Sequence, residues 1–288
     1  MRVLVVGSIN RDIVMNVKAA PQDGETIHVQ SLRHVAGGKG FNQAAACARL
    51  GANVSIVGCV GCDADGKAMR QAMQDAKLDL TNVTTSPLLP TGTAYVIVDA
   101  NGSNRILVHE GANGYVTRKQ VTQAFEHECD VVMLQWELPI DIVNVAIEAA
   151  YVKKIPVILD PAPARPLNSV TIPRGVTVLT PNEHEAELLT GFSMKTHPEQ
   201  VFQSLTAIAP IVLVTMGEQG AILCSNGKIK KFNAYPANVV DTTGAGDVFN
   251  ANFAVLYALN GDLDRAVDEA CRSAAKWVST DRKEDLCQ

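Results

Sequence analysis

The stretch VVDTTGAGDVFNANFAV (residues 239–255) places a glycine-containing acidic turn directly before a long apolar helix. Gly244 and Gly246 allow backbone angles that other residues resist, and the first N–H groups of a helix have no partner within it. We therefore predict that a bound anion is held by the backbone N–H groups of Gly244, Ala245, Gly246 and Asp247.

Asp247 is an unexpected residue for a simple anion site, because its carboxylate would compete with the anion. A carboxylate is useful there in phosphoryl transfer, where the protein positions the reactants and one carboxylate accepts the proton of the attacking hydroxyl. We interpret Asp247 as that base. The alternative is that Asp247 caps the helix, a position in which aspartate is favoured.

Short apolar runs alternate with helical patterns along most of the chain. Strands buried on both faces are typical of the continuous runs RVLVVGSI, NVSIVGCV, DVVMLQ, IPVILD, GVTVLT and PIVLVT. Amphipathic helical patterns cover residues 42–50, 65–76, 140–153, 183–189, 198–209 and 245–259. The alternation predicts an α/β fold built on a mainly parallel central sheet.

Two regions break this rhythm. Residues 26–35 and 93–110 read as antiparallel strands, and the second region forms a hairpin around Asn101 and Gly102. We predict a small antiparallel β lid, inserted at about residues 24–36 and 92–110 into a single domain of residues 1–288. Such a lid could close over a substrate or pair with another subunit.

The composition indicates a globular protein whose partners are small molecules or copies of itself. Of 288 residues, 47% are hydrophobic and 19% are charged, and the net charge is −5 without a run of like charges. We therefore expect no binding to nucleic acid or to anionic membranes. No apolar run approaches the roughly 20 residues of a membrane span, and the first is too short for a signal peptide. We expect a soluble, cytoplasmic protein.

The seven cysteines are odd in number and scattered, which argues against a set of disulfides. Cys59 and Cys62 form a Cys-x-x-Cys pair, which in other proteins can be a redox pair or half of a zinc site. The sequence contains no second pair with metal-ligand spacing. We therefore predict neither role for this pair.

A second glycine-rich stretch, VAGGKGFNQAAACARLGA (residues 35–52), also leads into a helix. It is not a P-loop, because Lys39 is followed by Gly40 rather than by serine or threonine. Gly38 and Gly40 would let the backbone approach a ligand closely, and Lys39 and Asn42 could donate hydrogen bonds to hydroxyl groups. The alternative is a flexible lead-in to the helix.

Polar residues follow several predicted strands, where open α/β sheets collect their ligands. These residues are Asn10, Asp12, Glu137, Asn182, Glu185, Thr215, Gly217 and Gly220. Asn10 and Asp12 are two apart on a predicted strand, so they point to one side and could bind adjacent hydroxyls of a sugar. Glu137 or Glu185 alone would be an ordinary surface residue.

The two glycine-rich stretches together resemble the signatures of a known family. GGKGFNQA before a helix, followed far along the chain by DTTGAGDVFNA, is similar to the paired motifs of the ribokinase-like (PfkB) carbohydrate kinases. The resemblance runs from Val3 to about Ala275 and includes GSINRDI, PQDGETI, VGCVGCDADG, DPAPARPL, TPNEHEAELLTG and VTMGEQGA. The ribokinase branch is the nearest match.

This resemblance implies a three-layer α/β/α fold with a small β lid, which often pairs two subunits in a homodimer. It also implies an enzyme that uses ATP to phosphorylate the terminal (5-) hydroxyl of ribose. Asp247 would be the base, and the backbone of residues 244–247 would be the anion hole. The strand pattern and the acidic glycine turn independently favour the same fold and chemistry.

The resemblance also implies ligand-binding roles for matching positions. The sugar would be held by Asn10, Asp12, Gly38, Lys39, Gly40, Asn42, Glu137 and Asp247. The nucleotide would be held by Asn182, Thr215, Met216, Gly217, Glu218, Gln219, Gly220 and Gly246. Mg²⁺ would be organised through water by Glu185, and a potassium-type cation (K⁺) would be bound on one side by Asp241 and Thr243.

The chain departs from the family pattern in two places. Residues 274–288, AAKWVSTDRKEDLCQ, lack a basic-glycine-alanine turn that would supply carbonyl groups to the cation and a wall of the adenine pocket. We therefore expect these two sites to differ from those of the family. Asn252 replaces a tiny residue, and we expect its larger side chain to disturb close helix packing.

Other functions stay open at this point. The substrate could be deoxyribose, a nucleoside or another furanose-bearing compound, although Asn10 and Asp12 favour a hydroxyl-rich sugar. A catalytically impaired sensor of sugar or nucleotide belongs to a different class, and the retained Asp247 argues against it. A redox protein using Cys59 and Cys62 is the remaining alternative.

Overall fold

The structure, a computed structural model, describes residues 1–100 and 104–280. Its strands are β1 (Arg2–Val6), β2 (Asn10–Asn16), β3 (Ser31–Gly37), β4 (Asn53–Gly61), β5 (Val83–Ser86), β6 (Gly92–Val98), β7 (Asn104–His109), β8 (Val131–Gln135), β9 (Val157–Asp160), β10 (Val176–Leu179), β11 (Ile211–Thr215), β12 (Ala221–Ser225) and β13 (Lys228–Phe232). Its helices are α1 (Lys39–Arg49), α2 (Ala64–Asp75), α3 (Arg118–Ala124), α4 (Ile140–Lys153), α5 (Glu183–Thr190), α6 (Pro198–Thr206), α7 (Ala245–Asn260) and α8 (Leu263–Val278).

The larger of two sheets forms the centre of the protein. Within the described residues its strand order is β13-β12-β11-β10-β9-β8-β1-β4-β5. Across the sheet from β5 at one edge to β11, each strand pairs with its neighbour in parallel. The hairpin of β12 and β13 extends the other edge, and its pairings are antiparallel. The prediction of a mainly parallel central sheet is confirmed.

Helices cover both faces of this sheet, and the alternation of side chains along β1 explains why. Val3 and Val5 pack into a hydrophobic cluster with α1, α2, α7 and α8, whereas Leu4 and Val6 pack into a second cluster with α3 to α6. Successive side chains of a strand point to opposite faces, so a wholly apolar strand packs into a hydrophobic core on each face of the sheet. The fold is the predicted three-layer α/β/α sandwich.

The first strand is shorter than predicted. The run RVLVVGSI was predicted as one strand with Asn10 and Asp12 at its end, but β1 stops at Val6 and Asn10 begins β2 in a different sheet. A Cβ atom at Gly7 would collide with the Gln135 side chain and would lie 2.6 Å from the Gly40 Cα. The start of α1 therefore occupies the space beyond β1, and the chain turns out of the central sheet.

The smaller sheet is the predicted lid, with the strand order β3-β2-β6-β7. Its pairings are antiparallel except for β2 with β6, which are parallel. The lid differs from the prediction in two respects, because β2 is an additional strand and β3 covers Ser31–Gly37 rather than residues 26–35. The predicted turn at Asn101 and Gly102 lies outside the described residues.

The edge hairpin of β12 and β13 was missed by the sequence analysis. Asn226 and Gly227 connect the two strands with φ angles of 51° and 71°, as a two-residue hairpin turn requires. An Asn-Gly pair is typical of such a turn, so the sequence did contain a signal for this hairpin. Lys228, Lys230 and Lys231 lie on β13, and lysines on an edge strand discourage pairing with another chain.

Asn252 does not disturb the packing of α7 against α8, contrary to expectation. Its amide nitrogen donates to the Val248 carbonyl at 2.9 Å, and its amide oxygen accepts from the Ser273 hydroxyl on α8 at 2.8 Å. A buried polar group costs little when its hydrogen bonds are made. Ser273 therefore compensates for the larger residue.

The described part of the chain contains no helix long and apolar enough to cross a membrane. The same residues hold no group of three or more histidine, cysteine, aspartate or glutamate side chains arranged to bind a metal ion. Cys59 is buried and Cys62 is exposed, and both are free thiols.

Candidate functional site

The parallel strands bring their carboxyl ends to one edge of the central sheet. Val6 of β1 lies beside Leu134 of β8, and Gln135 of β8 lies beside Asp160 of β9. The segments after these strands, together with the start of α1, form one half of a polar rim. The ends of β10 and β11 form the other half. The predicted polar residues that follow β8, β10 and β11 therefore lie at one edge of the sheet, as expected for an open α/β sheet, whereas Asn10 and Asp12 belong to β2 of the lid.

Glu137 is anchored at the start of α1. One oxygen of its carboxylate accepts the Lys39 backbone N–H at 3.0 Å and also the Ser8 hydroxyl. The Gly40 backbone N–H in turn donates to the Ser8 hydroxyl oxygen at 3.3 Å. A carboxylate is stabilised there by the free N–H groups of the first helical turn. Glu137 is therefore held against the start of α1 and is not an ordinary surface residue.

The glycine-rich segment at the start of α1 is closely packed against the chain after β1. Gly38 has a φ of 88°, and a Cβ atom there would lie 2.8 Å from the Asn10 backbone nitrogen. A Cβ atom at Gly40 would lie 2.5 Å from the Gly7 carbonyl carbon. The glycines let two backbone segments touch at the rim, and this close packing argues against the alternative of a flexible lead-in.

Asp12 reaches the rim from the lid. Its Oδ1 atom is buried and has no hydrogen-bond partner among the described residues. Burial, reinforced by the charges of Glu137 and Asp247, raises the pKa of Asp12 to about 7. A Cβ atom at Gly37 would collide with this carboxylate, so the glycine makes room for it. A buried acceptor without a partner is suited to receive the hydroxyl of a ligand.

Asn10 is buried and held by Asn113, a residue that the sequence analysis did not identify. The Asn113 amide nitrogen donates to the Asn10 amide oxygen at 2.7 Å, and the Asn113 oxygen accepts the Ile9 backbone N–H at 2.9 Å. This pair of hydrogen bonds fixes which end of the Asn10 amide is the oxygen. The nitrogen of Asn10 is then the group left to donate to a ligand.

Asp247 lies in the first turn of α7 and is buried. One carboxylate oxygen accepts from the Asn42 amide at 3.0 Å, and the other accepts from the Gln43 amide at 3.1 Å. The N-cap of α7 is Gly244, with a φ of 74°, so the alternative that Asp247 caps this helix is wrong. The Asp247 carboxylate is instead directed towards α1.

Lys39 is surrounded by carboxylates. Its ammonium group forms an ion pair with Asp160 at 3.2 Å. Burial alone would lower the pKa of Lys39, but the nearby negative charges outweigh burial and raise it above the usual lysine value. In order of effect, these charges are those of Asp160, Asp247, Glu137 and Glu185. Lys39 therefore stays charged at neutral pH.

Asp160 is a site residue that the sequence analysis did not identify. It is only 4% exposed, and it accepts from Lys39 and from the Gln43 amide at 2.9 Å. Burial raises the pKa of Asp160, and the Lys39 ammonium opposes that shift. Asp160 is the last residue of the run IPVILD, so the rule that selected polar residues after strands could have found it.

The predicted anion hole is only partly available. The Ala245 N–H donates to the Thr242 carbonyl at 3.1 Å, and the first helical bond runs from Val248 N–H to the Gly244 carbonyl at 3.0 Å. The N–H groups of Gly246 and Asp247 lie between these two bonds. Gly246 is exposed, and a Cβ atom there would meet nothing within 4 Å. An anion can therefore approach the helix at Gly246.

Apart from Gly246, which lies in the first turn of α7, the predicted nucleotide residues follow the ends of β10 and β11. Asn182 and Thr215 form an isolated parallel bridge. Asn182 is also the N-cap of α5, where its side chain accepts the Glu185 N–H at 2.8 Å and Glu185 accepts the Asn182 N–H at 2.8 Å. The turn between β11 and β12 contains Met216, Gly217, Glu218, Gln219 and Gly220.

The two predicted cation ligands lie in the turn before α7. The Thr243 N–H donates to the Asp241 carboxylate at 2.8 Å, and the Thr243 carbonyl accepts from the Trp277 indole at 2.9 Å. Carbonyl and carboxylate oxygens can accept a second partner, so this pair fits one half of a cation site. Trp277 of α8 covers the turn, and the rest of the atypical C-terminal segment, residues 281–288, lies outside the described residues.

Comparisons with known proteins show which family the chain resembles in sequence. Residues 1–282 match the model of the pfkB family carbohydrate kinases. The chain is 39% identical to the ribokinase of Bacillus subtilis (strain 168) over 284 residues, which cover 96% of this chain and 92% of that protein. It is 33% identical to the deoxyribokinase of Salmonella typhi over 284 residues, which cover 97% of this chain and 93% of that protein.

A solved structure of a similar protein has the same fold. The structure of Arabidopsis thaliana ribokinase complexed with ribose and ATP matches this fold with a TM-score of 0.83 and 33% identity, over 96% of this chain and 92% of that chain. The chain therefore belongs to the pfkB family of carbohydrate kinases.

Proposed function

We propose that this chain is a ribokinase, which transfers the γ-phosphoryl group of ATP to the 5-hydroxyl of ribose. The observation that carries the proposal is the buried Asp247 carboxylate, held at the start of α7 by Asn42 and Gln43. The ribokinase of Bacillus subtilis and the Arabidopsis thaliana complex with ribose and ATP support ribose as the acceptor. The related deoxyribokinase makes deoxyribose the second substrate to test.

In this proposal the sugar lies between the lid and the start of α1. Asp12 and Asn10 would bind ring hydroxyls from the lid side, with Asp12 using its unpartnered oxygen. Lys39, Asn42 and Glu137 would bind from the body, together with the backbone of Gly38 and Gly40. Binding from two sides would exclude water from the 5-hydroxyl, so that transfer to ribose is favoured over hydrolysis of ATP.

Asp247 would accept the proton of the 5-hydroxyl as its oxygen attacks the γ-phosphorus in line with the leaving ADP. The N–H groups of Gly246 and Asp247, at the positive end of the α7 dipole, would stabilise the charge on the transferring group. The Lys39 charge adds to this stabilisation because it remains protonated among the carboxylates. The chain thus supplies position, a base and positive potential.

ATP would lie along the ends of β10 and β11, on Asn182 and the turn of residues 215–220. Glu185 fits a role in holding Mg²⁺ through water, because its charge already acts on Lys39 and Asp160. Mg²⁺ keeps several waters and uses few protein carboxylates beside substrate phosphates, which agrees with one glutamate. When bound, Mg²⁺ neutralises charge on the phosphates.

We assign a monovalent cation of the potassium type to Asp241 and Thr243. It would add positive charge beside the anion hole, in the turn that immediately precedes α7. Turnover in potassium compared with Tris as the only cation tests this assignment, and equal rates would contradict it.

Exposed apolar residues on the outer face of the lid favour a homodimer. Tyr95 lies opposite Ile13 on β2 and Leu107 on β7, so these three residues share one face, while Asp12 lies on the other. Tyr95 is 42% exposed and Leu107 is 60% exposed. Exposed apolar residues on a sheet face mark an interaction site, and a second copy of the lid would cover them.

The cytoplasmic location stays a prediction.

Replacing Asp247 by asparagine keeps the shape of the side chain and removes the base. We expect D247N to lower kcat at least about 100-fold, because positioned general bases contribute about 10²–10⁴-fold. The matched control is D262N at the N-cap of α8, where asparagine caps as well as aspartate and kcat should not change. ADP release in the presence of ribose measures both. Activity of D247N near that of D262N would remove Asp247 as the base.

The raised pKa of Asp12 gives ribose binding a pH dependence. With a pKa of about 7, Asp12 is mostly protonated at pH 6 and mostly ionised at pH 8, and the ionised form accepts more hydroxyl hydrogen bonds. We therefore expect ribose to bind about tenfold more weakly at pH 6 than at pH 8, with no such change in D12N. Isothermal titration without ATP measures this. Equal affinity of the wild type at both pH values would contradict the assignment.

The proposed dimer is tested by placing a charge on the outer face of the lid. We expect the wild type to sediment as a dimer and L107D to sediment as a monomer, because a buried unpaired carboxylate is costly. V152D is the control, since Val152 is an exposed apolar residue on α4, away from the lid. A monomeric wild type, or dissociation of V152D as well, would contradict a lid-mediated dimer.

A further inference from the structure

Two buried glutamines lie next to the Asp247 site, and the proposal above assigns neither of them a role in catalysis or ligand binding. Gln43 is the fifth residue of α1 and is 1% exposed, and Gln135 ends β8 and is fully buried. Glutamine is rarely buried unless its amide makes specific hydrogen bonds. The partners of these two amides therefore indicate what they do.

Gln43 joins two carboxylates through one amide nitrogen. Its Nε2 atom lies 2.9 Å from an oxygen of Asp160 and 3.1 Å from an oxygen of Asp247. An amide nitrogen carries two hydrogens, so each carboxylate can receive one. The same amide thus donates one hydrogen bond to Asp247, the proposed base, and one to Asp160, which forms the ion pair with Lys39.

Gln135 determines the orientation of the Gln43 amide. Its Nε2 atom donates to the Gln43 Oε1 atom at 2.6 Å, which directs the Gln43 nitrogen to the opposite side, towards the carboxylates. In the reversed orientation an amide oxygen would face two carboxylates, and that arrangement is repulsive. The Gln135 Oε1 atom is itself buried without a hydrogen-bond partner among the described residues. Its own hydrogen bonding therefore does not explain this orientation, whereas the donation to Gln43 does.

The charges around Asp247 explain why a neutral donor is needed. Asp12 on the lid and Asp160 on β9 are the nearby carboxylates, and Lys39 is the nearby cation. Lys39 already forms an ion pair with Asp160. An amide between Asp160 and Asp247 offsets their repulsion without adding a second positive charge.

We propose that Gln43, oriented by Gln135, is a positioning residue that fixes the Asp247 carboxylate for proton transfer. With one oxygen held by Gln43 and the other by Asn42, the plane of the carboxylate is defined before the sugar arrives. Gln135 contacts neither aspartate through a hydrogen bond and acts through Gln43. This inference rests on the proposed function, because it assigns Asp247 as the base.

The test replaces each glutamine by methionine, which has a similar volume and no N–H donor. We expect Q43M to lower kcat by about 10- to 100-fold, since small displacements of a catalytic group have effects of this size, with the KM for ATP nearly unchanged. Q135M should lower kcat less, because the Gln43 amide can still adopt the productive orientation for part of the time. The double variant should match Q43M, because Gln135 has no effect without the Gln43 amide.

Gln120 provides the matched control. It is a buried glutamine of α3, and it donates to the Gly58 carbonyl at 3.3 Å and to the Thr84 hydroxyl at 2.9 Å, away from Asp247. Q120M should reduce thermal stability and leave kcat unchanged. A kcat for Q43M equal to that of Q120M would overturn the proposal, and so would effects of Q43M and Q135M that multiply in the double variant.

Urea unfolding of the same variants separates this proposal from the proposed function. If the wild type does not phosphorylate ribose, the proposed function fails, and the unfolding measurements still test the pair. The destabilisation of the double variant should then be smaller than the sum for Q43M and Q135M. Additive destabilisation would overturn the proposed orientation of Gln43 by Gln135.

Discussion

The hydrogen bonds from α1 to Asp247 are the contact on which the site depends. Asn42 and Gln43 lie about 200 residues before Asp247 in the chain, yet their amides hold both oxygens of its carboxylate. The central sheet makes this possible, because α1 and α7 pack on the same face of it. The glycine loop before α1 and the glycine turn before α7 are thereby brought together, one carrying sugar ligands and the other carrying the base.

Charge compensation explains the composition of the site. One ammonium group, that of Lys39, acts together with the carboxylates of Asp160, Asp247, Glu137 and Glu185. Buried carboxylates are costly unless hydrogen bonds and opposite charges compensate them, and here amides, a hydroxyl and the first N–H groups of α1 supply the hydrogen bonds. Among the carboxylates of the described residues, only that of Asp12 keeps a buried oxygen without a hydrogen-bond partner, as suits a group that binds a ligand.

The sequence predicted strands β1, β4 and β8 to β11 of the main sheet, most of its helices and the two glycine turns, because apolar runs and glycine motifs are local signals. It did not predict β5, α3 or α8. It did not predict that Gly7 ends β1 and sends Asn10 into the lid, because that depends on the space occupied by α1. It placed Asn42 and Lys39 in the site but not Gln43 or Asn113, whose roles arise from contacts between distant segments. Asp160 was overlooked although it ends a predicted strand. Asn252 was misjudged for the same reason, since Ser273 on the next helix satisfies it.

The most direct test of this account is the position of the phosphoryl group on the product. Purified protein with Mg-ATP, potassium and ribose should release ADP only when ribose is present, and proton-coupled ³¹P NMR of the sugar product should show phosphorus coupled to the two protons on C5. A phosphoryl group on C1, where a single proton couples, would mean that Asp247 is directed at a different hydroxyl. Absence of turnover, with ribose still protecting the chain from thermal unfolding, would contradict catalysis and indicate a sugar-binding protein.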